Sequence, residues 1–286
     1  MKLVESPVQP LVSVVIPCYN SGGTILQAVE SISRQTYSNI EILIVNDGST
    51  ELRTLERLKA LEDIGFKVIS HASNRGLPSA RNSGFGASLG DYILFLDADD
   101  WFSETMIEEM TNSIPAGRDN YFIYTDIFFE GERQGPSERV FKPFSQLVIN
   151  RLPYALMFKK SSISWAPLYD EAYTQGLEDW NLNLTFLELG FTPIRVSKPF
   201  FHYHASSQGM FVQETQKRFF SIWKKIRDSR HTLYSNKNVR KLVKAELKDS
   251  NLRTVFLPLI LLFISKLPIN TFLDRVFNTF RHLRRH

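Results

Sequence analysis

The chain has 286 residues, of which 43% are hydrophobic and 22% are charged, as in an ordinary soluble globular protein that buries a substantial core. Its single cysteine, Cys18, excludes an intramolecular disulfide and a zinc cluster of several thiolates, and it indicates a reducing compartment. Glu5, Pro7 and Pro10 interrupt the N-terminal segment, which lacks the continuous apolar run of a secretory signal. We therefore expect a cytoplasmic location.

The formal net charge of +4 is unevenly distributed along the chain. From Lys217 to the C-terminus there are 17 Lys and Arg against 4 Asp and Glu, whereas the preceding residues hold 17 against 26. A basic C-terminal region indicates an anionic partner, either a membrane surface or nucleic acid, and an acidic front part suits a metal-dependent site.

In chain order, the front part alternates buried strands with helices. Strands are predicted at 11–17, 40–47, 66–70 and 92–97, and helices between them at 24–32, 51–65 and 79–90. Thr24 and Gln27 fit a capping box at the start of the first helix. This alternation favours βαβ units and a mostly parallel sheet.

Polar residues follow three of these strands where each one ends. Tyr19 follows the first strand, Asp47 the second, and Asp97 and Asp99 the fourth, within "LFLDADD". Because the carboxyl ends of parallel strands meet at one edge of a sheet, these residues should converge there. Crowded carboxylates repel one another unless a cation offsets them, and oxygen ligands suit Mn²⁺ or Mg²⁺. The sequence therefore predicts a ligand-binding edge with a divalent metal.

Local structure offers another interpretation of each of these motifs. The residues of "NDGS" are those of an ordinary turn. Within "LDADD", Asp100 or Ser103 could cap a helix that begins near "SETMIEEM". Capping accounts for one of the three acids, not for all of them.

Four motifs in this order, "VSVVIPCYN", "VNDGST", "NRGLPSARNSG" and "LFLDADD", resemble the nucleotide-sugar-binding half of the inverting glycosyltransferases of family 2. With the later motifs below, the resemblance covers about Leu11 to Met210. It implies an α/β protein with the GT-A fold, a Rossmann-like, mixed and mostly parallel sheet flanked by helices. The implied domains are a GT-A domain at 1–212, with a donor half at 11–101 and an acceptor half at 102–212, and a helical basic extension at 213–286.

The resemblance also implies a nucleotide-sugar pocket. Pro17 and Tyr19 would line the base and ribose, and Asp47 would accept a hydrogen bond from uracil. Asp99 would bind Mn²⁺ or Mg²⁺ at the diphosphate, and Asp97 would face the ribose or the metal. The other implied pocket residues are Asn20, Asn74, Gly76, Arg81, Asn82 and Ala98. Without the resemblance, "NRGLPSARNSG" also fits a loop followed by a helix with an exposed arginine.

Inverting transfer is one in-line displacement, so a carboxylate must accept the proton of the acceptor hydroxyl. Glu178 and Asp179 open a predicted helix in "QGLEDWNLNLTFLELG", where they resemble the family's acidic pair. The resemblance implies Asp179 as the catalytic base, with Glu178 as its helper. Acids also favour helix N-termini for electrostatic reasons alone.

A histidine near the end of the resemblance is a further candidate. His204, in "PFFHYHASSQGM", occupies the place where the family carries a ligand to the metal or diphosphate, although a lone histidine is more often a structural residue. Phe201 and His202 stand where Tyr and Arg are more usual. Cys18 receives no nucleophilic role.

The resemblance therefore implies a metal-dependent enzyme that moves a sugar from a nucleotide donor, a UDP-sugar first of all, to a hydroxyl of a glycan or lipid-linked acceptor. The alternative is a catalytically inactive nucleotide-sugar-binding protein, for which degraded acidic motifs would be expected. We expect no nucleic-acid partner, because the last segment is dominated by aliphatic residues and Phe rather than by aromatic residues with basic neighbours.

The C-terminal stretch 251–286 suggests a membrane surface as a partner. Its apolar run, Val255 to Ile264, is too short to span a bilayer. Pro258 and Pro268 are expected to bracket a short helix, followed by a basic amphipathic helix that could lie on the cytoplasmic face of the inner or plasma membrane. The alternative is that this apolar face packs on the catalytic domain or in a homodimer.

Overall fold

The computed structural model describes residues 9–206, 218–249 and 252–264, which form a mixed sheet with helices on both sides. The sheet order is β3-β2-β1-β4-β8-β6-β9-β5, with β7 paired to β6. The strands are β1 Val12–Cys18, β2 Ile40–Asn46, β3 Lys67–Ser70, β4 Tyr92–Phe95, β5 Trp101–Phe102, β6 Tyr121–Gly131, β7 Gly135–Ser137, β8 Met157–Lys159 and β9 Thr192–Ala205. The helices are α1 Ile25–Ser33, α2 Leu52–Asp63, α3 Leu77–Ala87, α4 Met106–Asn112, α5 Glu178–Glu188, α6 Phe219–Asp228, α7 Asn236–Asp249 and α8 Leu252–Ile264.

The front half of the sheet is parallel, as the alternation of strands and helices predicts. Strand β1 lies at its centre, with Val12 opposite Ile40 of β2 on one side and Tyr92 of β4 on the other. Every residue of β1 and of β4 is buried, because helices cover both faces of these strands. The apolar runs of the sequence therefore specify these central strands.

The back half of the sheet mixes strand directions. Strand β8 pairs antiparallel with both β4 and β6, while the long strands β6 and β9 run parallel to each other. A β-bulge between Thr125 and Ile127 shifts the register of β6 against β9. Strand β6 was not predicted from the sequence. Its parallel pairing with β9 brings His204 back toward the edge where β4 ends.

The helix cap predicted at Thr24 is wrong, and the capping alternative for Asp100 and Ser103 does not hold either. Thr24 precedes α1, but its side chain donates to the Ser21 carbonyl at 3.4 Å instead of capping the helix, because its backbone (φ −123°, ψ −25°) is not extended as a capping box requires. Asp100 and Ser103 do not cap α4, which follows Thr105, because both side chains are engaged elsewhere. The acids after β4 are thus not explained by capping.

The described C-terminal helices share a second core with α5, the helix that carries Glu178 and Asp179. The Trp180 ring stacks on Phe219 and Trp223, with centroids 5.8 and 6.3 Å apart. Trp223 Nε1 donates to the Leu147 carbonyl at 3.0 Å, and Trp180 Nε1 donates to the Gln146 carbonyl at 2.8 Å. Helix α6 therefore supports α5 directly, and the predicted boundary between 212 and 213 separates segments that pack together.

Helix α8 differs from the prediction that Pro258 begins a short helix. Pro258 lies inside α8, where it is buried beside Val255 and Leu262, which pack into the second core. The packing of α8 on the second core therefore compensates for the backbone hydrogen bond that the helix loses at Pro258. No helix in the described part of the chain is long and apolar enough to cross a bilayer. Pro268 and the predicted amphipathic helix after it lie outside the described residues.

Candidate functional site

The carboxyl ends of β1, β2 and β4 meet at one edge of the sheet, as predicted. The Asp47 amide donates to the Cys18 carbonyl at 2.9 Å, and the Leu96 amide donates to the Val15 carbonyl at 3.0 Å, so the segments that follow the strands leave the sheet side by side. Pro17 is buried within β1, whereas Tyr19 is 46% exposed at the rim. An exposed ring beside buried acids marks this edge as a place for a ligand.

Asp47 is buried beneath this edge and is surrounded by donors. Its Oδ1 lies 2.6 Å from His71 Nδ1 and accepts from the Arg75 amide at 2.9 Å, while its Oδ2 accepts from the Gly76 amide at 2.8 Å. His71 Nε2 in turn lies 2.8 Å from Ser83 Oγ. Asp47 therefore fixes the loop that leads into α3, and Oδ2 keeps a lone pair for a further donor.

Two glycines let the loops approach one another. Gly48 has a φ of +67°, and a Cβ there would lie 2.3 Å from the Ser73 carbonyl carbon. Gly76 has a φ of +92°, and its amide donates to Asn74 Oδ1 at 3.0 Å as well as to Asp47. A side chain at Gly48 would therefore push the two loops apart, whereas Gly76 is needed for its positive φ.

Two predicted pocket residues hold the protein itself together. Asn20 Oδ1 accepts from the amides of Thr50 and Glu51 at 2.8 and 3.0 Å, which ties the loop after β1 to the loop after β2. Asn82 Nδ2 donates to the Tyr169 carbonyl at 2.9 Å, and Asn82 Oδ1 accepts from the Tyr169 amide at 2.8 Å. Both side-chain amides shape the pocket wall, and direct ligand contacts by them stay predictions.

Arg81 is not an exposed arginine on α3 but a buried bridge between the two acidic motifs. Its Nη1 donates to Glu178 Oε1 at 2.7 Å, and its Nη2 donates to the two carboxylate oxygens of Asp97 at 2.7 and 3.0 Å. The guanidinium lies over the rings of Tyr154 and Tyr169, 5.0 and 5.3 Å from their centroids. Burial opposes its charge, but Asp97, Tyr169 and Glu178 outweigh that effect and raise its pKa well above the ordinary value.

The residues after β4 form a crowded acidic group. Tyr154 Oη accepts from the Asp97 amide at 2.9 Å and donates to Asp100 Oδ2 at 2.5 Å, and Asp100 Oδ1 accepts from the His204 amide at 2.7 Å. Burial and the charges of Asp99 and Asp97 raise the Asp100 pKa well above its usual range. Asp100 is thus a structural group that joins the end of β4 to β9. Ala98 is buried between Asp97 and Asp99, the two predicted metal ligands.

Asp99 is the acid of this group that faces outward. Although its side chain reaches solvent, the surrounding protein and the negative charge of Asp97 raise its pKa to about 6, and the proximity of His204 partly opposes that rise. A carboxylate held close to another negative charge is a favourable place for a cation. This geometry fits an oxygen ligand to Mn²⁺ or Mg²⁺.

The predicted metal ligands Asp97, Asp99 and His204 do not form a complete site by themselves. Among residues 9–206, 218–249 and 252–264, no three His, Cys, Asp or Glu side chains are grouped so that they could hold a metal ion. Asp97 is engaged by Arg81, so Asp99 is the residue best placed to bind, with His204 nearby. His202 has Ser103 Oγ 2.9 Å from Nε2 and Glu130 Oε1 3.1 Å from Nδ1. The ligand set therefore stays a prediction.

Glu178 and Asp179 begin α5 after a sharp turn in which Gly176 and Leu177 have φ values of +99° and +63°. Asp179 Oδ1 accepts from the Trp180 amide at 2.6 Å, and Asp179 Oδ2 accepts from Asn150 Nδ2 at 2.9 Å. Burial, followed by the charge of Glu178, raises the Asp179 pKa to about 7. Such a carboxyl is suited to accept a proton near neutral pH.

Sequence reasoning missed several side chains that organise the site. Tyr154 and Asn150 lie in a segment without a motif, and His71 follows an edge strand. Only the fold brings Tyr154 to Asp97 and Asp100, and Asn150 to Asp179. Cys18, to which the sequence assigns no nucleophilic role, is buried, and burial raises its pKa to about 11.

The family described as "Glycosyl transferase family 2" matches residues 13–166. Among curated proteins, the chain is 30% identical to "Putative glycosyltransferase EpsH" of Bacillus subtilis over 74% of its own length and 65% of that protein. It is 29% identical to "Uncharacterized glycosyltransferase" of Haemophilus influenzae over 72% of its length and 74% of that protein. Its match to "Uncharacterized glycosyltransferase EpsJ" of Bacillus subtilis spans only 30% of that relative.

Solved structures confirm the predicted fold. The Staphylococcus aureus TarS structure in complex with UDP-GlcNAc matches with a TM-score of 0.63 at 17% identity, over 82% of this chain and 69% of that one. The mannosyltransferase PcManGT of Pyrobaculum calidifontis, in complex with GDP-Man and Mn²⁺, matches with a TM-score of 0.59 at 13% identity, over 97% and 88% of the two chains. The mixed sheet with helices on both sides is thus the GT-A fold.

Proposed function

The chain belongs to glycosyl transferase family 2, and from that membership and the geometry of its site we propose that it transfers a sugar from a nucleotide-diphosphate donor, first of all a UDP-sugar, to a hydroxyl of an acceptor, with inversion. One observation carries the proposal: Arg81 joins Asp97 at the end of β4 to Glu178 beside Asp179, so the predicted donor site and the predicted base share one buried ion-pair network. Donor and acceptor would meet across this network.

The donor would lie along the edge formed by β1, β2 and β4. Tyr19 would stack on the base beside Pro17, and Asp47 Oδ2, which is fixed by Gly76, would accept a hydrogen bond from the ring nitrogen of uracil. Asn74 and Gly76 would border the ribose. TarS was solved with UDP and with UDP-GlcNAc, and PcManGT with GDP-Man, which supports a nucleotide-sugar donor without selecting the sugar.

The residues present fit a divalent cation with few protein ligands. Asp99, whose pKa is raised to about 6 by its surroundings and by Asp97, would hold Mn²⁺ or Mg²⁺ with His204 nearby, and the donor would contribute the remaining oxygens. When bound, the metal would stabilise the charge that develops on the leaving diphosphate. The Mn²⁺ in the PcManGT complex supports such a cofactor.

Asp179 would act as the general base. Its carboxylate, oriented by Asn150 and the Trp180 amide, would accept the proton of the acceptor hydroxyl as that oxygen attacks the anomeric carbon on the face opposite the nucleotide. Glu178, bound to Arg81, would keep its neighbour in position and raise the Asp179 pKa. Displacement from the opposite face would invert the anomeric configuration.

A catalytically inactive nucleotide-sugar-binding protein is the second candidate. It would require only the donor edge, whereas this chain also keeps the intact acidic pair at the start of α5, with a pKa of about 7 for Asp179. For the acceptor we propose a glycan or a lipid-linked glycan, which suits an enzyme on the cytoplasmic face of a membrane.

The test is a turnover screen of UDP- and GDP-sugars with Mn²⁺, in which released nucleotide is measured with water and with hydroxyl acceptors. We expect metal-dependent release from at least one UDP-sugar and, with an acceptor, a product whose anomeric configuration is opposite to that of the donor. Binding without any turnover would support the inactive candidate. A product that retains the donor configuration would contradict the role proposed for Asp179.

A further inference from the structure

We propose that helices α7 and α8 form a surface by which the protein docks on an anionic lipid bilayer. This inference goes beyond sugar transfer, because docking requires neither a donor nor the acidic site. It extends the prediction based on sequence, which assigned membrane contact to residues 251–286, by adding the basic face of α7.

Helix α8 presents an apolar stripe to solvent. Phe256, Leu259, Ile260 and Phe263 are spaced as on one helical face, and they are 60, 38, 37 and 70% exposed. The opposite face of α8 is buried through Val255 and Leu262. Four large apolar side chains side by side on one helix form a patch, which soluble surfaces rarely carry without a partner.

Helix α7 presents a basic stripe. Five exposed cations along its outer face line a shallow groove: Lys237, Arg240, Lys241, Lys244 and Lys248. The inner face of α7 packs on the second core through Val239, Leu242 and Val243. The acid Glu246 is turned inward, where it accepts from the amides of Phe144 and Ser145 at 3.0 and 2.9 Å, so it does not offset the outer charges.

The two stripes lie on helices that are neighbours in space. Helix α7 is anchored to the 3-10 turn Ser145–Leu147 by Glu246, and α8 contacts the same turn. Both helices also contribute to the second core, and only residues 250 and 251 separate them in the chain. The basic stripe of α7 and the apolar stripe of α8 are therefore the solvent-exposed faces of two neighbouring helices.

An anionic bilayer satisfies both stripes at once. Its acyl chains accept Phe256 and Phe263, while its headgroups neutralise the cations of α7. Nucleic acid would neutralise α7 but leave the apolar stripe in water. In a dimer with two-fold symmetry, the basic stripe of one copy would lie near the basic stripe of the other, and the two would repel each other. The segment 265–286, with five Lys and Arg against one Asp, would likewise bring positive charge to a positive surface.

The test is co-sedimentation of the full chain with vesicles of phosphatidylcholine containing phosphatidylglycerol. We expect the native protein to sediment with these vesicles, less so at high salt, and to remain in the supernatant with phosphatidylcholine alone. The double variant Phe256→Gln with Phe263→Gln should partition about tenfold more weakly or worse. A control double variant, Ile64→Gln with Leu89→Gln, changes two residues that are 74 and 77% exposed elsewhere and should bind normally.

Charge is tested separately. Lys241→Gln with Lys244→Gln should weaken partitioning about thirtyfold, because each basic residue near an anionic surface contributes about one kcal/mol. Arg53→Gln with Lys59→Gln, on exposed positions of α2, should have no effect. Point variants are preferable to a chain ending at Ser250, which would remove Val255 and Leu262 from the core.

Three results would overturn the proposal. The first is native protein that stays in the supernatant with anionic vesicles, and the second is a Phe256 and Phe263 variant that partitions like the native chain. The third is a native dimer in analytical ultracentrifugation that the Phe variant converts to a monomer without any vesicle binding, which would assign the surface to a second copy. Donor binding, measured in parallel, should be equal in all variants, so failure of docking is distinguishable from failure of the proposed transferase activity.

Discussion

Replacing Asp179 by Asn is expected to slow sugar transfer by about two to four orders of magnitude, the usual contribution of a general base. The substitution keeps the size of the side chain and removes its capacity to accept the acceptor's proton. Donor affinity should barely change, because Asp47, Asp99 and the rim around Tyr19 are untouched. Turnover and donor binding are therefore measured on the same protein, with Asp63→Asn on the exposed end of α2 as the matched control.

The pH profile supplies a second readout of the same residue. Burial and the charge of Glu178 raise the Asp179 pKa to about 7, and only the deprotonated form can accept a proton. We therefore expect kcat/KM to fall about tenfold per pH unit below about 7 and to level off above it. The Asp179→Asn variant should lose this acidic limb.

Near-normal turnover by Asp179→Asn would show that another residue is the general base, and Glu178→Gln would then be the next variant to measure. A native profile that stays flat between about pH 5 and pH 8 would contradict the assignment independently. Either result would leave the donor edge intact, since that edge is built from other strands.

Replacing Arg81 by Met is expected to produce the largest loss of stability in the site, about 3–5 kcal/mol of unfolding free energy. The side chain is 1% exposed, and its removal leaves Asp97 and Glu178 as neighbouring carboxylates without their cation. Urea unfolding measures the loss. Arg34→Gln, which breaks an exposed pair with Glu30, should cost about 0.5 kcal/mol or less.

Two further variants test the reason for that loss. Arg81→Lys should recover only part of the stability, because one ammonium group cannot reproduce the fork that reaches Asp97 and Glu178 together. Adding Glu178→Gln to Arg81→Met should restore part of it, because one buried charge is then removed. A loss below about 1 kcal/mol for Arg81→Met would show that the bridge is not energetically coupled to its acids.

The front of the fold could be predicted because its signals are local. Strands β1 and β4 are continuous apolar runs that end in polar residues, and such runs specify buried parallel strands whichever partners they find. The convergence of Tyr19, Asp47 and Asp97 then follows from strand direction alone. Family 2 membership also followed from motifs in a fixed order, and the match to residues 13–166 confirms it.

The interior of the site could not be predicted, because its contacts are distant in sequence. Arg81 and Glu178 are 97 residues apart, and Tyr154 and Asp100 are 54 residues apart. Nothing near "SARNSG" indicates that Arg81 points inward between two acids rather than toward a ligand. Asp100 and Ser103 do not cap α4 for the same reason, since both are engaged by residues of β9.

The most direct test of metal-dependent donor binding at this edge is calorimetric titration of UDP into the native protein and into Asp99→Ala, each with Mn²⁺ and with a chelator. We expect Mn²⁺ to strengthen UDP binding to the native protein, and we expect Asp99→Ala to lose this dependence while its unfolding transition is unchanged. UDP affinity that is equal with and without Mn²⁺ in both proteins would contradict it.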